Sequence, residues 1–272
     1  MILEICAASL FVSIPTIKQG WLLACDNISE WNMTIWGLFI ALVAGYFLGC
    51  VPYIVLDTLR IPFFEQYKIQ QTKYPGAAQY MKTVAGILAL FFVVVLPMLI
   101  CSFPIFDAIG VAAHAPLPPW YVVAPQLGVF FLIEDYLNYW FHRALHTEFL
   151  YKKIHSVHHE HNAPFAIAAT YAHPIEVLLL GVPTFAGPLV MGPHLITMII
   201  WLLMRQYEAI DIHSGYEFPW SINKLCSFYA GTEHHDYHHY IYVGNYASVF
   251  TWCDRVYGTN MGYDKWLAKK EQ

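Results

Sequence analysis

Apolar residues along this 272-residue chain gather in long blocks. Residues 36–56 form one, about the 20 positions a helix needs to cross a bilayer core. Residues 84–106 form a second. Residues 121–141 form a third, although Glu134 and Asp135 lie inside it. A fourth, 176–204, is longer and is interrupted by Gly181, Pro183, Gly187, Pro188, Gly192 and Pro193. So many breakers in so long a run predict two helices in a hairpin, turning near residues 191–193. Between and after these blocks lie the polar stretches 142–175 and 205–259. The expected fold is all-α, a single membrane domain over 1–272. A multi-span helical bundle would carry a histidine-rich helical cap built from the two polar stretches.

Composition strengthens the membrane reading. The chain is 58% hydrophobic and 12% charged, where soluble domains carry about 25% charged residues. A net charge of −5 gives no nucleic-acid signature. The six cysteines are scattered without a CxxC pair, which fits buried thiols rather than a zinc ribbon. Of the 14 Lys and Arg, all but Lys18 fall in 57–83, 142–175 or 205–272, and the 107–120 loop has none. Positive-inside bias then places the cap and the C-terminus in the cytosol, and the hairpin form of 176–204 is what allows both its ends to face that side. The apolar run 1–15 lacks a basic start and fits an interfacial segment better than a signal peptide. Asn27 and Asn32 stand in glycosylation sequons on the far side. Lys269 and Lys270 end the chain as KKxx, the form of a dilysine retrieval signal of endoplasmic-reticulum membrane proteins, or of an ordinary charged tail.

The chemistry is concentrated in three histidine clusters. HRALH carries His142 and His146. HSVHH carries His155, His158 and His159. HDYHH carries His235, His238 and His239. Residues three and four apart share one face of a helix, so each cluster presents its imidazoles together. Eight rings converging on one region predict a di-metal centre in the cap. Neutral imidazole suits iron, zinc, copper and nickel alike. HExxH and the Glu-x-x-His pairs of carboxylate-ligated bundles are absent, so the ligands would be nearly all nitrogen. A histidine-rich transporter would hold its ligands near the bilayer midplane, whereas these clusters lie outside the main apolar blocks.

The three-box pattern resembles that of the fatty acid hydroxylase and sterol desaturase superfamily. The closer resemblance is to C-4 methylsterol monooxygenases, through YKKIHSVHHEHNAPFAIAATYAHPIE at 151–176, EAIDIHSGYEFPW at 208–220 and YAGTEHHDYHHYIYVGNYASVFTWCDRVYGT at 229–259. The resemblance implies that the eight histidines ligate two non-haem irons, with His213 as a further ligand. It implies O2-dependent oxidation of a sterol C-4 methyl group to alcohol, aldehyde and carboxylate. Electrons would come from NAD(P)H through cytochrome b5 and its reductase, and a decarboxylating enzyme would act next. The location implied is the endoplasmic-reticulum membrane. No GxGxxG follows a strand, so no nucleotide domain is evident in the chain.

Four polar residues are candidates to support the ligands. Asp135 shares a helical stripe with Asn138, His142 and His146, two turns below the first box, where it would brace the neighbouring segments. Glu208 and Asp211 precede His213; they would accept N–H bonds from ligand imidazoles or pair with Arg143 or Arg205. Asn245 would hydrogen-bond a metal-bound water. His161 reads as a surface residue, His173 as lining the site or capping a helix, and His114 and His194 as structural. No catalytic residue beyond the metal ligands is evident. Within the superfamily the boxes alone fit a fatty-acid or side-chain hydroxylase or a C-5 desaturase as well.

Overall fold

The computed structural model describes residues 2–263, 265 and 266. Among these there is no strand, only two isolated bridges, Lys68 with Tyr216 and Tyr229 with Phe250. The chain opens with α1 (Ile2–Phe11) and α2 (Pro15–Asn27), bent by 60° against each other. α3 (Glu30–Leu59) begins where Ser29 accepts the Asn32 N–H and ends as Arg60 turns into the left-handed region at φ 47°. α4 (Pro62–Glu65) is one turn. α5 (Ala77–Leu90) runs through a π-turn, Phe91–Val95, into α6 (Leu96–Ala108). Pro97 follows directly, and a proline that can neither donate nor tolerate the preceding carbonyl explains the widened turn.

α7 (Trp120–Leu145) starts after Pro119 and carries the first histidine box in its last turn. α8 (Glu148–Lys153) and a 3₁₀ segment, His155–Glu160, carry the second. α9 (Pro174–Met191) is capped by His173, whose ring accepts the Ile175 N–H at 3.2 Å. Gly192 ends it at φ 52°, and α10 (Leu195–Ile212) starts three residues later behind the His194 cap. α11 (Ile222–Leu225), α12 (Gly231–Ile241) and α13 (Trp252–Val256) follow.

Among the described residues three helices are long and apolar enough to cross a membrane: Glu30–Leu59, Ala77–Ala108 and Pro174–Met191. The bent α1–α2 pair would make a fourth if it acts as one span. α7 and α10 are not among them. Both carry buried charge, Glu134 and Asp135 on one and Arg205 and Glu208 on the other. The bundle closes tightly around them. A Cβ on Gly45 of α3 would stand 2.3 Å from Leu203 of α10, and one on Gly187 of α9 would stand 2.9 Å from the Phe130 backbone of α7. Small residues at these crossings let the backbones approach.

The cap is fastened to the bundle by buried carboxylates. Asp135 accepts the Val249 and Phe250 N–H groups at 3.2 and 2.8 Å and the Trp252 indole N–H at 2.7 Å. Asp57 near the end of α3 binds Lys68 at 2.7 Å and the hydroxyls of Tyr216 and Tyr80. The tail with Lys269 and Lys270 lies outside the described residues.

Asp135→Ala should therefore leave three buried donors unpaired at once. Thermal unfolding in detergent, read from tryptophan fluorescence, should show a loss of roughly 2–4 kcal/mol. Asp135→Asn, which keeps one acceptor, should lose clearly less. Equal stability of Asp135→Ala and wild type would refute this role.

Candidate metal centre

The first box sits at the end of α7, with His146 as its C-cap, so His142 and His146 stack four residues apart on one side. The second box is not α-helical. It winds as a 3₁₀ helix, and His158 is parted from His155 and His159. The third lies on α12, a helix of polar composition that is buried from Gly231 to His239. His213 caps α10 and donates from Nδ1 to the Ala209 carbonyl at 2.7 Å.

Nine imidazoles meet. One donor nitrogen from each of His142, His146, His155, His159 and His238 lies within 4.8 Å of the others. His158, His213, His235 and His239 form a second group on the same criterion. The second and third boxes each supply both groups, with the neighbours His158 and His159, and again His238 and His239, parted between them.

The outward nitrogens explain the orientation. His142 Nδ1 pairs with the Tyr246 carbonyl at 2.9 Å, His238 Nδ1 with the Gly244 carbonyl at 2.8 Å, and His158 Nδ1 with the Tyr171 carbonyl at 3.3 Å. His155 Nδ1 pairs with Glu176 Oε1 at 2.9 Å. A carbonyl only accepts, so these rings carry their proton on Nδ1, and Nε2 is a bare lone pair. Those lone pairs face one another. His213 Nε2 stands 3.1 Å from His158 Nε2, and both rings have already donated from Nδ1. Two acceptors cannot bond each other, so a cation between them is what the donor set fits.

Electrostatics agrees with that chemistry. Burial first, and then repulsion among neighbouring imidazoles, hold His155, His159, His235 and His239 well below the usual imidazole range. His213 is pushed down to about 4, chiefly by burial. Neutral rings are the form that binds metal.

The remaining candidates fall in different places. Glu208 pairs with Arg205, which also binds Glu134 at 2.9 Å and Ser248 at 2.8 Å. Asp211 accepts the Tyr53 hydroxyl at 2.6 Å. Asn245 is left-handed at φ 56°, and its buried Oδ1 has no partner among the described residues. His161 is buried, not on the surface, with Nδ1 2.9 Å from the Gln79 amide nitrogen. His114 and His194 bind backbone carbonyls far from the centre. His234 is buried against Tyr263 and belongs to neither group.

Sequence reasoning missed two residues that hold the site. Glu176 was read only as the start of an apolar block, yet it binds His155. Asp254 accepts the Tyr246 and Ala247 N–H groups at 2.9 and 2.8 Å and so fixes the loop whose carbonyls orient His142 and His238. An acidic residue inside an apolar context was the available signal for both.

A cavity of about 280 Å³ opens on this centre. His142, His155, His158, His213 and His235 form one end. Apolar side chains of α3, α5, α9 and the π-turn, among them Leu42, Ile87, Phe91 and Leu180, form most of the rest, with Glu134, Glu176, Arg205 and Gln206 among the polar groups in the wall.

A family model described as fatty acid hydroxylase matches residues 127–259, the stretch that holds all nine histidines. Fold and site thus define a membrane oxidoreductase of the histidine-box type. Methylsterol monooxygenase 2-2 of Arabidopsis thaliana is 40% identical over 258 residues, covering 94% of this chain and 96% of that one. Methylsterol monooxygenase 1-1 of the same plant is 43% identical over 260 residues, covering 94% and 84%. The chain belongs to the C-4 methylsterol monooxygenase family of the fatty acid hydroxylase and sterol desaturase superfamily. A very-long-chain aldehyde decarbonylase of Oryza sativa subsp. japonica is also 40% identical, over 260 residues, covering 94% and 96%. No solved structure matches.

Alanine at His158 or at His238, one from each group, should lower metal bound per chain by at least half, measured by plasma mass spectrometry on purified protein. Activity should vanish in both. His114→Ala should keep full metal. Unchanged metal in both box variants would remove the centre from these residues.

Proposed function

We propose that this protein oxidises the C-4 methyl group of 4-methyl and 4,4-dimethyl sterols with O2, by successive steps to alcohol, aldehyde and carboxylate. The observation that carries the reading is the identity to methylsterol monooxygenases along almost the whole chain, joined to nine converging imidazoles. Two non-haem irons are the proposed occupants, one for His142, His146, His155, His159 and His238, the other for His158, His213, His235 and His239. When bound they would supply the reduction of O2 and the oxidant for an unactivated C–H bond.

The chain's own residues do the rest. The Tyr171, Gly244 and Tyr246 carbonyls and Glu176 hold His158, His238, His142 and His155 each in one tautomer, with Nε2 turned to the centre. The apolar cavity excludes water and admits a lipid-soluble substrate from between the helices. Electrons come from outside the chain, by this reading from NAD(P)H through cytochrome b5 and its reductase. The carboxylate product calls for a decarboxylating partner. The whole chain acts as one membrane domain in the endoplasmic reticulum, with cap and C-terminus cytosolic.

A second reading is favoured by the identity to the rice aldehyde decarbonylase: the same centre acting on a long aliphatic chain. One assay separates the two. Iron-loaded protein with O2, cytochrome b5 and its reductase is offered a 4,4-dimethyl sterol, a sterol without C-4 methyls, and a long-chain aldehyde or acyl lipid. The hydroxymethyl and then the carboxyl sterol should accumulate from the first substrate alone. Nicotinamide without the redox proteins should give no turnover. Conversion of the aliphatic substrate with the C-4 methyl untouched would overturn the sterol reading.

Orientation is tested at Asp107, an exposed residue at the end of α6 in the 107–120 stretch that has no Lys or Arg. A cysteine placed there, with Cys6, Cys101 and Cys226 changed to serine, should react with an impermeant maleimide only after the lumenal side is opened. Labelling from the cytosolic side would invert the topology.

A further inference from the structure

The reaction proposed above brings two groups of one substrate into one place. In a 4-methyl sterol the C-3 hydroxyl sits on the ring carbon beside the one that bears the methyl. Its oxygen is three bonds from the methyl carbon, hence within about 4 Å at roughly 1.5 Å per bond. Whatever recognises the hydroxyl must line the cavity close to the histidines.

Three acceptor oxygens on residues of the cavity wall are buried without a partner among the described residues: Glu134 Oε2, Glu176 Oε2 and Gln206 Oε1. Glu134 stands eight residues before His142 on α7, about 12 Å along the helix axis. Gln206 stands seven before His213, about 10 Å away on the same count. Glu176 is different. Its Oε1 accepts from His155 Nδ1 at 2.9 Å, and both side chains are almost wholly inaccessible. Oε2 sits on the same carbon and is therefore held beside a ring of the centre. It is in the first turn of α9, facing a cavity lined by Ala172, Val177 and Leu180. An acceptor alone in such surroundings is unfavourable until a donor arrives, and no described residue donates to this one.

We propose that Glu176 is a specificity-determining residue that bridges the centre and the substrate: Oε1 holds His155, and Oε2 accepts the C-3 hydroxyl of the sterol. This rests on the methylsterol reading. The bond would set the register of the A ring, so that the neighbouring C-4 methyl is the carbon presented to the centre. A 3-oxo or 3-methoxy sterol lacks the O–H and would leave Oε2 unpaired, the situation in which a site rejects an analogue most strongly.

The test compares matched 3-hydroxy and 3-oxo sterols on wild type and on Glu176→Gln. The amide oxygen of the variant keeps the acceptor for His155, while its NH2 offers the cavity a donor in place of an acceptor. Wild type should favour the 3-hydroxy sterol by on the order of 100-fold in kcat/KM, mostly through binding. Glu176→Gln should bring the ratio within about threefold or invert it, since a ketone accepts from an amide and a hydroxyl gains nothing by the exchange. Competition binding with the pair lacking C-4 methyls reads the same preference without turnover. It is measured on the variant and on metal-stripped wild type alike, so loss of metal or activity does not obscure it. Equal acceptance of both sterols by wild type would overturn the inference. So would a preference that survives Glu176→Gln, or one that moves with Glu134→Gln instead. Failure of any sterol to bind would sink the methylsterol reading, and this assignment with it.

Discussion

Much of this fold answers one electrostatic constraint: nine imidazoles converge, and unprotonated ring nitrogens such as those of His158 and His213 point at one another. Lone pairs in contact repel, and burial removes the water that would relieve them. The arrangement persists because five of the nine rings are held from behind. Backbone carbonyls and one carboxylate take the Nδ1 protons, and those acceptors come from four separate parts of the chain: the end of α10, the segment before α9, α9 itself and the loop after α12. The bundle is the frame that brings these four together. Asp135 and Asp57 fasten the cap to it, and Asp254 stiffens the loop that supplies two of the carbonyls.

The same constraint accounts for charge placed where apolar residues would be cheaper. Arg205 lies buried between Glu134 and Glu208 at the level where cap meets bundle. Breaking such a group is far worse than never having it. It ties α7, which delivers the first box, to α10, which delivers His213. The charged positions that keep α7 and α10 out of the set of plainly apolar spans are thus the ones that register the histidine-bearing helices.

Much of this was legible in the chain. Apolar blocks marked the long helices, and breakers at 181–193 marked a helix pair, because hydropathy and proline act locally. Histidine spacing singled out the rings that meet, since spacing survives whichever helix type forms. The long-range partners were not legible. Nothing local in the sequence says that Glu176 reaches His155, 21 positions away, or that Asp135 reaches the 249–252 segment. Nor could it say that Glu208 would choose Arg205. His161 misled because a polar residue beside a box looks exposed, whereas Gln79 and Thr83 from α5 cover it. The resemblance to methylsterol enzymes supplied His213, which no spacing rule would have added.

The parting of adjacent histidines between the two groups has a mechanical consequence. His158 and His159 share a peptide bond, as do His238 and His239, yet each pair serves both groups. Ordering either group therefore immobilises backbone that the other also needs. The 3₁₀ segment and α12 tie the two groups together, so that whatever holds a ring of one group in place also holds its neighbour in the other.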